Sequence, residues 1–154
     1  MIFINSEILE AIKDEGERAY PNECCGVIMG RVVSGGMPPF GGGTDVEVKD
    51  AISIEPIANS SENAEQYHRF LITPEDMLKA ELKAREQKLD IIGFYHSHPD
   101  HPAAPSEYDK EHALPFYSYV IVSVLKGKAG NFTSWELSDD RENFNSDEIA
   151  KEKE

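Results

Sequence analysis

Apolar positions along this chain follow two periods, and the places where one gives way to the other mark out its elements. Ile8 and Ile12 fall four apart among glutamates, with Ser6 ahead as an N-cap and Pro21 beyond, so a helix is predicted over 6–19. The run GVIMG at 26–30 is short and apolar, as a buried strand is. Residues 34–44, SGGMPPFGGGT, are too rich in Gly and Pro for either and form a loop. That loop has no Gly-Lys-Ser/Thr and is not a phosphate cradle. A long hairpin connection is the plain expectation, and a substrate-contacting flap the sharper one. Alternation over 44–57 suffices for one or two strands, and 59–65 is polar and turn-like.

Thr73-Pro74-Glu75-Asp76 combines an N-cap threonine, a proline at the first helical position and acids in the first turn. It predicts a helix running to about Lys88. The apolar stretch 89–95 then reads as a strand that His96 and His98 continue and Pro99 ends. A short helix begins at Ser106 and breaks before Pro115, and strands are predicted over 117–124 and 132–137. The order α-β-β-β-α-β-α-β-β describes an α/β domain of two or three layers around a mixed sheet. No internal repeat interrupts it.

The 154 residues suffice for one domain with a sizeable core. The segment 138–154 is acidic and lacks strong apolar periodicity, so the domain is expected over 1–137 and the remainder as a tail, either a frayed helix or disordered. The chain carries 15 Lys plus Arg against 29 Asp plus Glu, a net charge of −14. That field repels phosphates, which argues against nucleic acid, and it favours basic partners. Residues 1–7 hold neither a basic region nor a long apolar one, and runs such as 119–122 are far too short to span a bilayer. No membrane partner and a cytoplasmic location are therefore expected. Cys24 and Cys25 are adjacent, where a bridge would be strained, and free thiols in a reducing compartment are expected.

Candidate chemistry concentrates at 93–109. His96 and His98 on a strand project to one side, with Ser97 facing away. Prolines 99, 102 and 105 make a stiff turn that can fold the next helix back over them, with Asp109 one turn in. Two imidazoles and a carboxylate suit a metal ion with one open position, as in catalytic zinc sites. Each part has a plainer reading: Ser106-x-x-Asp109 is also a helix capping box, and exposed histidine pairs are common. Their conjunction behind the apolar run Gly93-Phe94-Tyr95 favours metal. His101 is close enough to ligate, but its flanking prolines should turn it to solvent. His68 and His112 lack a spaced partner and fit surface or interface positions. Asp100 is expected to be exposed, with contact to a basic substrate as the alternative. Cys25 should pack beside the strand and Cys24 line the same turn. Trp135, Phe94, Phe116 and Tyr119 fit the core.

His96-Ser97-His98-Pro99 followed by Ser106-x-x-Asp109 resembles the JAMM (MPN-plus) metalloprotease signature, and Glu23-Cys24-Cys25-Gly26 resembles the segment carrying that family's catalytic glutamate. The resemblance covers roughly 6–137. It implies an α/β fold: a single JAMM/MPN domain, cytidine-deaminase-like, with a mixed curved sheet flanked by helices. It implies one zinc ion (Zn2+) per chain on His96, His98 and Asp109, with a water in the fourth position. Glu23 would be the general base and Ser106 would stabilise the oxyanion. Spacing alone does not single out Glu23 among 29 acids. The implied reaction is hydrolysis of a peptide or isopeptide bond after the Gly-Gly C-terminus of a ubiquitin-like or sulfur-carrier protein, which would be the partner; a homodimer stays open. The alternative is a non-catalytic MPN-type domain that binds metal or protein, against which the full Glu/His/His/Ser/Asp set argues. A zinc deaminase would need His-x-Glu and Pro-Cys-x-x-Cys, and a gluzincin-like protease His-Glu-x-x-His. None occurs.

Overall fold

The computed structural model describes residues 1–34, 47–59 and 72–151. The loop expected at 34–44 (beyond Ser34), the turn at 59–65 (beyond Asn59) and His68 lie outside these residues. In chain order the elements are β1 (Ile2–Phe3), α1 (Ser6–Ala19), β2 (Cys25–Ser34), β3 (Glu47–Ile57), α2 (Pro74–Glu86), β4 (Asp90–Pro99), α3 (Glu107–His112), β5 (Ser118–Leu125), β6 (Lys128–Leu137), β7 (Phe144–Asp147) and β8 (Ile149–Ala150).

Local sequence explains the helix starts. Thr73 caps α2 by accepting from Asp76 N at 3.1 Å, with Pro74 in the first turn. At α1 the cap is Asn5 rather than Ser6. Asn5 is the extended residue, and its Oδ1 accepts from Ile8 N at 2.9 Å.

The strands form one mixed sheet in the order β7-β6-β5-β4-β2-β3-β1-β8, with β4 parallel to β5 and antiparallel to β2. The sheet curls until it nearly closes. Lys49 on β3 and Glu136 on β6 are four strands apart, roughly 19 Å in a flat sheet, yet their side chains are ion-paired at 2.5 Å. The Lys49 ammonium is buried, and it also donates to Ser118 Oγ and to the Phe116 carbonyl.

The segment 138–151, expected to be frayed or disordered, supplies β7 and β8. These strands pair with β6 on one edge and with β1 on the other, with only Glu148 between them. Its ordering is tertiary. Asp147 Oδ2 accepts from Ser118 Oγ and Ser134 Oγ at 3.1 Å each, both serines being buried. Strands of two to four residues leave no periodicity to read.

Two apolar clusters lie against the sheet. Ile8, Leu9 and Ile12 of α1 pack with Ile92, Tyr95, Val120 and Val122. Ala80 and Ala84 of α2 pack with Val27, Ile91, Phe94 and Tyr119. Gly26 is needed for the first: a Cβ there would sit 2.3 Å from the Tyr95 ring, whose hydroxyl donates to Glu15 Oε2 at 2.5 Å. Phe94 and Tyr119 are buried as expected, and Trp135 is half-buried. Phe116 is not in the core. It is 46% exposed at φ 86°, because its carbonyl turns inward to Lys49 while its ring lies over that ammonium.

Candidate active site

The end of β4, the turn after it and α3 together place three side chains face to face. His96 and His98 project from the same side of β4, and their Nε2 atoms are 3.1 Å apart. Asp109 returns over them on α3, with Oδ1 3.2 Å from His96 Nε2 and Oδ2 3.2 Å from His98 Nε2. Ligand atoms around a tetrahedral zinc, at bonds of about 2.0–2.1 Å, are separated by about 3.3 Å. Each of the three separations is close to that spacing, with the aspartate reaching the two histidines through different oxygens, and all three side chains are buried.

The supports of this triangle explain its geometry. Asp109 is at once a metal-ligand candidate and half of a capping box. Ser106 N donates to its Oδ2 at 2.9 Å, and Ser106 Oγ accepts from its N–H at 3.1 Å. The two readings are therefore compatible, since capping is what aims the carboxylate. His98 Nδ1 lies 2.9 Å from the Pro102 carbonyl, which can only accept, so Nδ1 carries the proton. That fixes the tautomer that leaves Nε2 available to a metal. The turn offering this carbonyl is pinned in turn: Ser123 Oγ donates to His101 O at 2.7 Å, and Thr133 Oγ1 donates to Ala103 O. Pro102, Ser123 and Thr133 carry no sequence signal for such a role.

Glu23 lies in the turn before β2, 73 positions from His96, yet its carboxylate joins the histidines. The donor atoms of Glu23, His96 and His98 all lie within 4.8 Å of one another. The side chain is 5% exposed, and its Oε1 has no hydrogen-bond partner among the described residues. Burial, with Asp109 adding to it, pushes the carboxyl up to about 8 against the opposing pull of His98. Burial also drives His96 below the ordinary histidine value, whereas for His98 the burial effect is outweighed by Asp109 and the Pro102 carbonyl, and its value rises. Burial would raise Asp109, but the imidazoles and Ser106 N–H hold it well below the ordinary carboxylate range.

The remaining polar candidates have structural partners or face solvent. His101 is exposed. His112 is exposed, stacks on Tyr108 and bonds its carbonyl through Nδ1. Asp100 is exposed as expected, but both its oxygens are engaged, accepting from Tyr20 OH and Lys126 N at 2.7 Å each. It ties the end of β4 to the end of α1 and to the β5–β6 turn. Cys24 and Cys25 are free and buried, and burial pushes the Cys24 thiol up to about 12 and that of Cys25 higher still. Neither is poised as a nucleophile.

Comparison with known proteins agrees with this architecture. A family described as prokaryotic homologs of the JAB domain matches residues 5–138. A protein named desampylase from Haloferax volcanii is 30% identical over 104 residues, 67% of this chain and 63% of that protein. A desampylase from Pyrococcus furiosus is 31% identical over 70 residues, 46% of this chain and 48% of that protein. The chain thus spans less than two thirds of either relative's length. A solution structure from Desulfitobacterium hafniense superposes with a TM-score of 0.79 at 26% identity, covering 100% of this chain and 94% of the other. One from Salinibacter ruber gives 0.69 at 35% identity, covering 99% and 92%. A JAB1/MPN domain protein from Archaeoglobus fulgidus, at 0.52 and 18% identity over 99% and 95%, shares the fold.

Proposed function

The chain belongs to the prokaryotic JAB (JAMM/MPN) domain family, and from that premise we propose that it is a zinc-dependent isopeptidase or peptidase. Its substrate in this reading is a ubiquitin-like or sulfur-carrier protein, cut after a Gly-Gly C-terminus. The observation that carries the proposal is the buried triangle of His96, His98 and Asp109 donors 3.1–3.2 Å apart with the Glu23 carboxylate beside it. The desampylase relatives support the substrate class.

His96, His98 and Asp109 would hold the ion. Bound there, a zinc ion would supply Lewis acidity and would lower the pKa of a water towards neutrality. By distance Glu23 could itself ligate, but a fourth protein ligand would close the site, and catalytic zinc keeps one position open. Glu23 is therefore assigned as the base: it takes the proton from the attacking water and hands it to the leaving amine. Ser106 Oγ accepts from Asp109 N, which leaves its own O–H free to donate to the oxyanion that develops on the scissile carbonyl. A non-catalytic binding domain would have no use for a buried carboxylate whose Oε1 meets no hydrogen-bond partner among the described residues beside a metal triangle.

The test uses a Gly-Gly-terminated ubiquitin-like protein joined by an isopeptide bond to the lysine of a fluorescent peptide. Purified protein is expected to carry about one zinc per chain, to lose turnover with a chelator and to regain it with zinc. Glu23→Gln should keep the zinc and lose turnover, whereas Asp109→Ala should lose the zinc. Normal hydrolysis by Glu23→Gln, or by the zinc-free protein, would overturn the assignment.

A further inference from the structure

Nothing among the described residues hydrogen-bonds Glu23 Oε1, so the placing of this carboxylate falls largely to its own backbone. Asn59 Nδ2 donates to the Glu23 carbonyl at 3.1 Å. The next residue, Cys24, is held more firmly. Strands β2 and β4 pair antiparallel as far as Cys25↔His96. One step beyond, Ser97 N donates to the Cys24 carbonyl at 3.2 Å, the ladder bond expected of such a pair. The reciprocal donor does not complete the ladder: Cys24 N–H goes instead to Ser97 Oγ, at 2.8 Å. A side chain has taken the acceptor role of the main chain. The backbone can leave the sheet at Cys24 while still tied to β4, and leaving there is what swings Glu23 over the two histidines that flank Ser97.

Packing does not account for this serine. Ser97 is fully buried on the face of β4 turned towards α1, in the neighbourhood of Gly16, Val122 and Val124. A hydroxyl in such surroundings costs free energy unless it is bonded, and an alanine would fill the space without that cost.

We propose that Ser97 is a positioning residue for the general base: its hydroxyl anchors the Cys24 peptide and so fixes Glu23 over the metal cluster. The inference rests on the reading of Glu23 as base, and the test separates the two. With the same isopeptide probe, Ser97→Ala should lower kcat by about tenfold or more, since a misplacement of the order of 1 Å at a reacting group can cost about a hundredfold. KM should stay within about twofold, because binding and transition-state effects separate in this way. Zinc stoichiometry and zinc affinity, measured by competition with a chromophoric chelator, should not change. Ser97→Thr, which keeps the hydroxyl, should recover most of the rate. A Ser97→Ala protein with kcat within twofold of wild type overturns the proposal. So does one that loses zinc or folds poorly, because the serine would then serve the scaffold. Normal turnover by Glu23→Gln would instead remove the base itself.

Discussion

Glu23 shows at the scale of one residue how a site can oppose the stability of its own fold. Burial raises its carboxyl from the ordinary carboxylate value to about 8 in the metal-free protein. Between those two values the native state binds a proton that the unfolded chain has already released, so stability falls as pH rises through the window. Below the window both states are protonated and no penalty exists. Glu23→Gln mimics the protonated form. It should therefore stabilise the metal-free protein at pH 8 by about 2–4 kcal/mol, some 5–10 °C in Tm for a chain of this size, and change little at pH 4. Equal shifts at both pH values in thermal melts would contradict this. The residue was legible only through its resemblance to a family motif, because a lone acid in a turn has no periodicity or partner to mark it. His96, His98 and Asp109 were legible from spacing. Phe116 lies outside the core although its sequence context suggests otherwise, since an aromatic residue beside a strand gives no hint that its carbonyl is needed by a buried lysine.

The short helix α3 joins two roles that the sequence could not separate. Ser106 caps it and Asp109 both completes the capping box and faces the histidines. The roles of the Ser106 hydroxyl can be split by substitution, because glycine is a tolerable N-cap while alanine is not. Ser106→Gly should cost only a few tenths of a kcal/mol and Ser106→Ala about 1 kcal/mol. Both should lose about 10²–10³ in kcat if the hydroxyl stabilises the oxyanion. Melting curves and turnover of the two variants decide it: if Ser106→Gly keeps full activity, the hydroxyl is only a cap. The turn before α3 acts at the same scale. Thr133→Val frees the Ala103 carbonyl from its donor and, by loosening the Pro102 acceptor of His98, should weaken zinc binding by about 10–100-fold. Competition with a chelator would read this, and unchanged affinity would show that the turn holds itself.

Over the whole molecule, the acidic segment 138–151 closes the curved sheet rather than trailing from it. Truncation after Leu137 would strip a strand from each edge and remove the acceptor that Ser118 and Ser134 share in Asp147. Orphaning buried hydroxyls and losing strand pairing should cost roughly 3 kcal/mol or more, and bare edges should promote aggregation. A truncated chain that melts with the full-length protein and stays monodisperse in light scattering would place the tail outside the folded unit. Features legible along the chain lie within a dozen or so residues of one another: helix starts at caps and prolines, strands with clear runs, and the strand-turn-helix that presents His96, His98 and Asp109. Those features are set by backbone propensity and side-chain periodicity, which are local. The tertiary structure alone decided what joins that segment. It brought Glu23 to the histidines, put Ser97 against Cys24, buried Lys49 beside Glu136 and paired the tail with both sheet edges. Cys24 and Ser97 are 73 positions apart and meet because β2 pairs with β4, whereas Lys49 and Glu136, 87 apart, meet only because the sheet curls; both depend on surface buried across the fold rather than on any pattern within one element.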